Sequence, residues 1–276
     1  MTRVHQTASG FDHAAAAYER SRPDYPERIV EILVDRLGAS DGATVLELGA
    51  GTGKLTRELA ARGARMLAVE PSAAMRAVLA DAARDDHPGH IEVVDATAEA
   101  LPLPDADAPS DGARESDAPR PQAPQAAVAA QSFHWFQPEA VFAELCRVLP
   151  PGAPFAVVFN RRDLADPAQA AIDELVAPYR GDTPSWADDT WRHALADPPG
   201  FDPLQTVEHP HVQALDAAGL TDRVASISFV ARLDAAVRRS LETATHELAR
   251  QLADAAGTVH LHYVTELHLL RRRDAT

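Results

Sequence analysis

The stretch TVLELGAGTG, residues 44–53, decides how the rest of the chain is interpreted. It begins with an apolar run typical of a buried strand and continues with glycines at alternate positions, Gly49, Gly51 and Gly53. A segment with leucines at helical spacing follows directly. Glycine permits positive φ and a close approach to a ligand, and the first N–H groups of a helix are free to bind an anion. The stretch therefore predicts a ligand-binding loop between a strand and a helix.

Two familiar phosphate-binding loops do not match these residues. The Walker A motif needs glycine at position 48 and Ser or Thr after Lys54, but the chain has Leu48 and Leu55. The dinucleotide fingerprint Gly-x-Gly-x-x-Gly fails because Lys54 stands in place of its third glycine. A nicotinamide-dependent oxidoreductase is therefore a disfavoured alternative. What is left is an acidic residue, Glu47, followed by Gly-x-Gly-x-Gly.

Beyond the loop, apolar runs and helical segments alternate along the chain. Strands are predicted at residues 44–48, 66–70, 91–95, 127–130 and 155–159. Strands joined through helices form right-handed crossovers in a mostly parallel sheet, so the chain belongs to the α/β class. Later segments are predicted to be a helix at 168–176, a strand at 206–213, a helix at 233–255 and a strand at 260–270.

The alternation is interrupted at residues 104–127, which contain no Val, Ile, Leu, Met, Phe, Tyr or Trp. A segment of this composition buries too little apolar surface to offset the entropy lost on ordering. We therefore predict a disordered surface insertion. A partner-binding loop is the alternative interpretation.

Charge and composition exclude several classes of function. The 276 residues include 26 Lys and Arg against 41 Asp and Glu, and the net charge of −15 repels phosphate backbones, so no nucleic-acid partner is expected. The chain has no apolar run of membrane-spanning length, and its first residues, MTRVHQ, lack the apolar core of a signal peptide. Cys146 is the only cysteine, which excludes an internal disulfide. We expect a soluble, cytoplasmic monomer or homodimer with no membrane contact, in which no residue pattern requires a metal.

The loop that follows Glu47 resembles motif I of the class I S-adenosylmethionine-dependent methyltransferases, and the resemblance extends from about residue 11 to residue 159. It implies a Rossmann-like fold, in which a seven-stranded, mostly parallel sheet carries helices on both faces and its last strand is antiparallel. It also implies S-adenosylmethionine as cofactor and a small-molecule methyl acceptor. The implied reaction is methyl transfer, first of all to an oxygen such as that of a carboxylate.

The resemblance assigns cofactor contacts to three strand ends. The glycine loop faces the methionine part, and Glu70, which ends the second strand, matches the acidic residue that binds the ribose hydroxyls. A carboxylate suits that role because it accepts two hydrogen bonds from a diol. Asp95, which ends the third strand, matches the position that reads the adenine. The cofactor residues predicted at these ends are Glu47, Gly49, Ala50, Gly51, Gly53, Glu70, Pro71, Asp95 and Ala96.

Three of these residues have plainer alternatives. Glu47 either contacts the cofactor or only orients the loop. The alternative for Glu70 is a solvated strand end, and the alternative for Asp95 is the N-cap of the following turn.

Two further stretches, YERSRPDYP at 18–26 and QSFHWF at 131–136, resemble the small-molecule branch that includes trans-aconitate methyltransferase. In that branch the N-terminal helix folds over the cofactor, which implies that Tyr18 and Arg22 reach its carboxylate; the alternatives are an ordinary core aromatic for Tyr18 and a surface ion pair for Arg22. Arginine suits such a contact because its guanidinium binds a carboxylate with two parallel hydrogen bonds. The resemblance also places Gln131 against the cofactor.

His134 is the titratable side chain that these motifs place near the transferred methyl group. It acts either as a base that deprotonates or orients a substrate hydroxyl or carboxyl, or it walls the cofactor pocket together with Trp135. A general base is not required, because alignment of the reacting groups alone supplies a large part of the rate in favourable cases.

The resemblance divides the chain into three parts. Residues 1–40 form a helical cover over the cofactor, residues 41–160 form the cofactor-binding core with the insertion 104–127, and residues 161–276 complete the sheet and supply a substrate lid. Tyr179, Trp186 and Trp191 lie in the expected lid.

Two alternatives stay open at this point. The histidine pairs at 209 and 211 and at 260 and 262 each share one face of a predicted strand, and two such pairs on adjacent strands would suit zinc. No carboxylate or thiol pattern supports that site, so it is disfavoured. For function, the alternative is a catalytically silent cofactor-binding protein that acts as a regulator or partner subunit, with the insertion as its interaction element.

Overall fold

The computed structural model describes residues 11–40, 42–86, 90–107, 123–184 and 190–274. The strands in these ranges are β1 Thr44–Leu48, β2 Arg65–Val69, β3 Ile91–Val94, β4 Ala126–Ala130, β5 Pro154–Arg162, β6 Phe201–Leu215 and β7 Val259–Arg272. The helices are α1 Phe11–Ser21, α2 Glu27–Leu37, α3 Lys54–Ala60, α4 Ala73–Asp86, α5 Pro138–Val148, α6 Pro167–Val176, α7 Thr190–Ala196, α8 Ala217–Ala225, α9 Ser228–Ala231 and α10 Ala235–Leu252.

The strands form one sheet in the order β3-β2-β1-β4-β5-β7-β6. β1 pairs in parallel with both β2 and β4, and β4 pairs in parallel with β5. β7 lies between β5 and β6 and is antiparallel to both. The predicted seven-stranded, mostly parallel sheet with an antiparallel last strand is therefore confirmed. The strand order reverses between β1 and β4, and open α/β sheets bind ligands beside such a reversal, at the carboxyl ends of the strands.

Helices cover both faces of the sheet because side chains of the central strands alternate between those faces. In β1, Leu46 and Leu48 pack on one face together with Phe142 and Leu145 of α5. Val45 packs on the opposite face with residues of α2 and α3. All five residues of β1 are buried, which explains why this strand appears in the sequence as a continuous apolar run rather than as an alternating one.

The last third of the chain extends the same sheet and adds a further group of helices. α6, α8 and α10 pack around the start of β7, where Val259, Leu261 and Tyr263 are buried. α1 packs against α8, so segments about two hundred residues apart in sequence meet in space. Among the helices in the described ranges, none is both long and apolar enough to span a bilayer.

The structure corrects the end of the predicted insertion at residues 104–127. Ala126 and Ala127 belong to β4, where both are fully buried, because they pair with β1 and β5 in the centre of the sheet. On the other side, Arg147 donates to the carbonyl of Leu103 and to the carboxylate of Asp105. The rest of the predicted disordered segment, residues 108–122, lies outside the described residues, as does Trp186.

Candidate active site

A cavity of about 530 Å³ opens at the carboxyl ends of the parallel strands, beside the reversal of strand order. Residues that follow β1, β2 and β4 line it, together with the end of α1. The predicted cofactor residues in this lining are Tyr18, Arg22, Glu47, Gly49, Ala50, Gly51, Glu70, Pro71 and Gln131. Four predicted site residues are not part of the lining, namely Gly53, Asp95, Ala96 and His134.

The glycines of the loop have positive φ and differ in what surrounds them. A Cβ on Gly49 (φ +67°) would lie 2.7 Å from Cβ of Ser132, and a Cβ on Gly53 (φ +87°) would clash with Cδ1 of Leu79. A Cβ on Gly51 (φ +60°) would meet no protein atom within 4 Å. The close contacts show that the loop is pressed against the residues after β4 and against α4, which only glycine permits. Gly53 does not line the cavity, but its lack of a side chain lets the loop pack closely against Leu79 of α4.

Glu70 fixes the loop to the end of β2. Its two carboxylate oxygens accept hydrogen bonds from the backbone N–H groups of Gly51 (2.9 Å) and Ser72 (2.8 Å). The residue is 8% exposed and lines the cavity. Because each carboxylate oxygen has two lone pairs, both oxygens keep the capacity to accept from a ligand diol while they hold the two amides.

Glu47 joins β1 to α3 below the loop. It is buried, and its carboxyl accepts a hydrogen bond of 2.6 Å from the hydroxyl of Thr56. Burial raises the pKa of Glu47 to about 8; the charge of Glu70 adds to the increase, and the hydrogen bond from Thr56 opposes it. A carboxyl group held in this way is well suited to orient the loop, the second of the two roles that the sequence left open.

Asp95 does not join the other predicted residues at the cavity. Its largely exposed carboxylate pairs with Arg76 at 2.7 Å, and Arg76 also donates to the backbone carbonyl of Glu70. Ala96 packs against the hydrophobic core. The residues that face the cavity on this side come just after them, at 97–99. The adenine contact assigned to Asp95 and Ala96 stays a prediction. Residues 97–99, and not Asp95 or Ala96, form the wall of the cavity on this side.

The end of α1 contributes Tyr18 and Arg22 to the lining of the cavity. The guanidinium of Arg22 lies 4.8 Å from the centroid of the Tyr18 ring and donates to the hydroxyl and the backbone carbonyl of Ser226 (3.0 and 3.1 Å). Burial lowers the pKa of Arg22 to about 9, and the positive charge of Arg223 contributes. The arginine thus remains charged at neutral pH and sits at the cavity with two neutral oxygens as its partners.

His134 lines a second, smaller cavity of about 100 Å³. The two cavities share six lining residues, which are Tyr18, Arg22, Gln131, Trp135, Asn160 and Arg223. The Nδ1 atom of His134 is buried and has no hydrogen-bond partner in the described part of the chain. Burial, helped by the charge of Arg22, lowers the pKa of His134 to about 3. The imidazole is therefore neutral at pH 7 and a weak proton acceptor, which favours a positioning role over a general base.

Sequence reasoning missed several residues that line the cavities. Asn160 in β5 donates from its side chain to the carbonyls of Pro23 (3.4 Å) and Asp24 (3.2 Å) and accepts from Thr265 (2.7 Å). It therefore fixes the segment after α1 to the sheet. Its position directly after the predicted fifth strand was an available signal, because ligand-binding residues concentrate at such strand ends. Arg223 follows no motif, and only the packing of α8 brings it to the site.

The two histidine pairs considered for zinc do not face one another across the strands. His209 lies opposite Thr265 and His211 opposite Tyr263 in the pairing of β6 with β7. His260 pairs instead with Asp254 at 2.9 Å. No cluster of metal-binding side chains occurs among the described residues.

Residues 45–111 match the family described as a methyltransferase domain. An uncharacterized methyltransferase of Mycobacterium tuberculosis is 32% identical over 242 residues, which cover 88% of this chain and 84% of that protein. A methyltransferase-like protein of Schizosaccharomyces pombe is 29% identical over 250 residues, 90% of this chain and 89% of the relative.

Solved structures show the same fold at lower identity. A protein of Anaeromyxobacter dehalogenans, described as a type II methyltransferase, superposes with a TM-score of 0.62 at 24% identity, covering 91% of this chain and 97% of its own. Geranyl diphosphate C-methyltransferase of Streptomyces coelicolor was solved with Mg²⁺, geranyl diphosphate and S-adenosylhomocysteine. It superposes with a TM-score of 0.50 at 16% identity, and the match covers 90% of this chain and 79% of that protein.

The chain belongs to the class I S-adenosylmethionine-dependent methyltransferases. It is a transferase whose cofactor is S-adenosylmethionine, which decides against a nicotinamide-dependent oxidoreductase. The described residues fit this cofactor, since the cavity has a glycine cradle at Gly49 and Gly51 that bears no Cβ atoms and a buried carboxylate at Glu70.

Proposed function

We propose that the protein methylates an oxygen of a small organic molecule, with a carboxylate oxygen as the first acceptor to test. The observation that carries this proposal is the second cavity, whose volume of about 100 Å³ admits only a small group beside the main cavity. The geranyl diphosphate methyltransferase that shares the fold also acts on a small molecule, which supports a small-molecule acceptor.

The chemistry of the second cavity favours an acceptor that arrives already deprotonated. Among the described residues, its lining includes no Asp, Glu, Lys or Cys, and His134 is its one imidazole. The pKa of His134, lowered by burial to about 3, leaves it little capacity to remove a proton from an alcohol. When bound, S-adenosylmethionine would supply an electrophilic methyl group on its sulfonium, and transfer of that group to a carboxylate oxygen would release no proton, so no side chain of the cavity would have to act as a base.

In this proposal the residues of the chain bind and align rather than exchange protons. Glu70 holds the ribose hydroxyls and the loop, and Tyr18 and Arg22 close α1 over the methionine end. Asn160 holds the segment after α1 in place. Alignment of this kind supplies about 7–11 kcal/mol of a barrier in favourable intramolecular cases. Residues 1–40 then act as the cofactor cover, and residues 161–276 complete the sheet and close over the acceptor.

A calorimetric titration tests the cofactor part of the proposal. We expect S-adenosylmethionine and S-adenosylhomocysteine to bind the wild-type protein and NADH not to bind. Glu70→Ala is expected to weaken both affinities by about 100-fold, because hydrogen bonds to a charged partner are each worth about 1.5–3 kcal/mol. Glu70→Gln, which keeps one acceptor oxygen, loses less. Glu242→Gln on the exposed face of α10 is the matched control and keeps full affinity.

Release of S-adenosylhomocysteine in the presence of carboxylic acids, alcohols and amines tests the acceptor. Turnover on an acid supports the proposal. Turnover on an amine or alcohol alone would contradict oxygen transfer to a carboxylate, and intact cofactor binding without turnover on any acceptor would favour a silent cofactor-binding protein.

A further inference from the structure

The second cavity concentrates four arginines, of which only Arg22 has a part in the proposed methyl transfer. Its lining includes Arg22, Arg162, Arg180 and Arg223, and no described acidic residue. Guanidinium groups close together in a partly enclosed space repel one another, and the repulsion is stronger there than in bulk water. We refer to these four residues as the arginine cluster.

Two members of the arginine cluster share one carboxylate. Arg162 and Arg180 lie 2.9 and 2.8 Å from the same oxygen of Asp173. Burial lowers the pKa of Arg162, the charges of Arg223 and Arg180 add to this effect, and Asp173 opposes it. The arginines of the cluster therefore repel one another even though Asp173 lies between two of them.

The other two members donate only to neutral oxygens in the described part of the chain. Arg22 donates to Ser226, and Arg223 donates through Nε to the hydroxyl of Tyr263 at 3.1 Å. Arg223 is 6% exposed. A buried charge without an opposite charge is costly, so these two guanidinium groups are positioned to gain from a bound anion.

Unpartnered polar atoms in the same lining point to a ligand as well. Thr183 is 8% exposed, and its hydroxyl has no hydrogen-bond partner among the described residues. Nδ1 of His134 is in the same situation. Buried polar atoms in native proteins nearly always have a hydrogen-bond partner. A polar ligand group in the cavity would supply one to Thr183 and to His134.

We propose that the arginine cluster anchors a carboxylate of the methyl acceptor, and that a different atom of the acceptor takes the methyl group. The inference rests on the proposed function and deepens it. A carboxylate whose lone pairs accept several guanidinium hydrogen bonds is a weak nucleophile, so the anchored group is not the reacting one. Val176, Ile227 and Phe229 also line the cavity, which favours the carbon chain of an organic acid over inorganic phosphate.

Calorimetry with a series of dicarboxylate probes tests the proposal. Glutarate, monomethyl glutarate and dimethyl glutarate are titrated into the protein saturated with S-adenosylhomocysteine, with inorganic phosphate as a separate arm. The two probes that carry a carboxylate are expected to bind with affinities within a few-fold of each other. The neutral diester is expected to bind at least tenfold more weakly, since it lacks the charge that the arginines recognise.

Single substitutions in the arginine cluster assign the binding to it. Arg223→Gln and Arg180→Gln are each expected to weaken glutarate binding at least tenfold. Because Arg180 lines only the second cavity, Arg180→Gln is also expected to leave the affinity for S-adenosylhomocysteine within threefold of wild type. Arg180, with a side chain 27% exposed, supplies the result if the buried Arg223 variant does not fold. Arg239→Gln, on the exposed face of α10 and outside both cavities, is the control.

Four results would overturn the proposal. These are equal binding of all three glutarate probes, binding of none of them, tighter binding of phosphate than of glutarate, and loss of S-adenosylhomocysteine affinity in the variants while glutarate binding is unchanged. The last result would mean that the cluster serves the cofactor's own carboxylate. Failure of S-adenosylhomocysteine to bind the wild-type protein would instead count against the cofactor site, so the two failures are distinguishable.

Discussion

At the scale of single residues, the glycines of the loop differ in what their missing side chains allow. Gly51 faces open space, whereas Gly49 and Gly53 are in close contact with neighbouring side chains. Positive φ alone makes each of them costly to replace, because an L-residue in the left-handed region is less stable by about 1–2 kcal/mol. Steric contact adds a second cost only at the two crowded positions.

Gly53→Ala should therefore destabilise the protein more than Gly152→Ala. Both glycines have positive φ, but Gly152 has no atom within 4 Å of its missing Cβ, while Gly53 would clash with buried Leu79. We expect a loss of about 1 kcal/mol in the free energy of unfolding for Gly152→Ala and a further loss of about 1–3 kcal/mol for Gly53→Ala from overpacking. Urea denaturation measures both. Equal losses would show that Leu79 yields without cost.

At the scale of elements, the hydrogen bond between Glu47 of β1 and Thr56 of α3 connects the strand below the loop to the helix after it. Burial, the largest cause, raises the pKa of Glu47 to about 8, so the folded protein holds this carboxyl protonated at neutral pH. The unfolded chain releases that proton near pH 4.5. Glu47 therefore contributes fully to stability below about pH 4.5, and the contribution is lost as the pH rises through 8.

Glu47→Gln should remove this pH dependence, because the amide resembles the protonated carboxyl and does not titrate. The free energy of unfolding of the variant minus that of the wild type is expected to be near zero at pH 4. This difference should grow toward pH 8 by up to about 1.4 kcal/mol per pH unit and then level off. Chemical denaturation at a series of pH values measures it, with Glu242→Gln as an exposed baseline. Parallel curves for Glu47→Gln and wild type would contradict the buried, protonated carboxyl.

The sequence predicts those parts of the site that depend on neighbours along the chain. The loop at 49–53 follows from turn chemistry, and Glu70 follows from the family resemblance together with its place at a strand end. Arg162 and Arg223 follow from neither, because they meet only when α8 packs beside β7. Asp95 occupies the predicted strand end, yet Arg76 of α4 orients its carboxylate. The direction of a side chain at a strand end depends on the residues packed around it. The sequence therefore predicts that Asp95 ends a strand but does not predict which group its carboxylate contacts.

At the scale of the whole molecule, the cavities are built from segments far apart in sequence. Arg20 of α1 pairs with Asp222 of α8 at 2.8 Å, and Asn160 of β5 holds the carbonyl of Asp24. The acidic chain, with a net charge of −15, thus encloses a cluster of arginines. Because residues of α1, β5 and α8 line the main cavity, binding of a ligand there should stabilise the fold as a unit.

S-Adenosylhomocysteine at 100 times its dissociation constant should therefore raise the unfolding free energy by about 2.7 kcal/mol. For a chain of this size that corresponds to an increase of about 5 °C in the melting temperature. Gly152→Ala, which lies outside both cavities, should melt at a lower temperature and still show the same increase at the same ligand concentration. Gly53→Ala should show a much smaller increase, because its loop no longer has the shape that the cofactor requires. Thermal unfolding with and without the ligand decides the matter: an equal increase in both variants would mean that the backbone conformation at Gly53 serves stability alone and contributes nothing to cofactor binding.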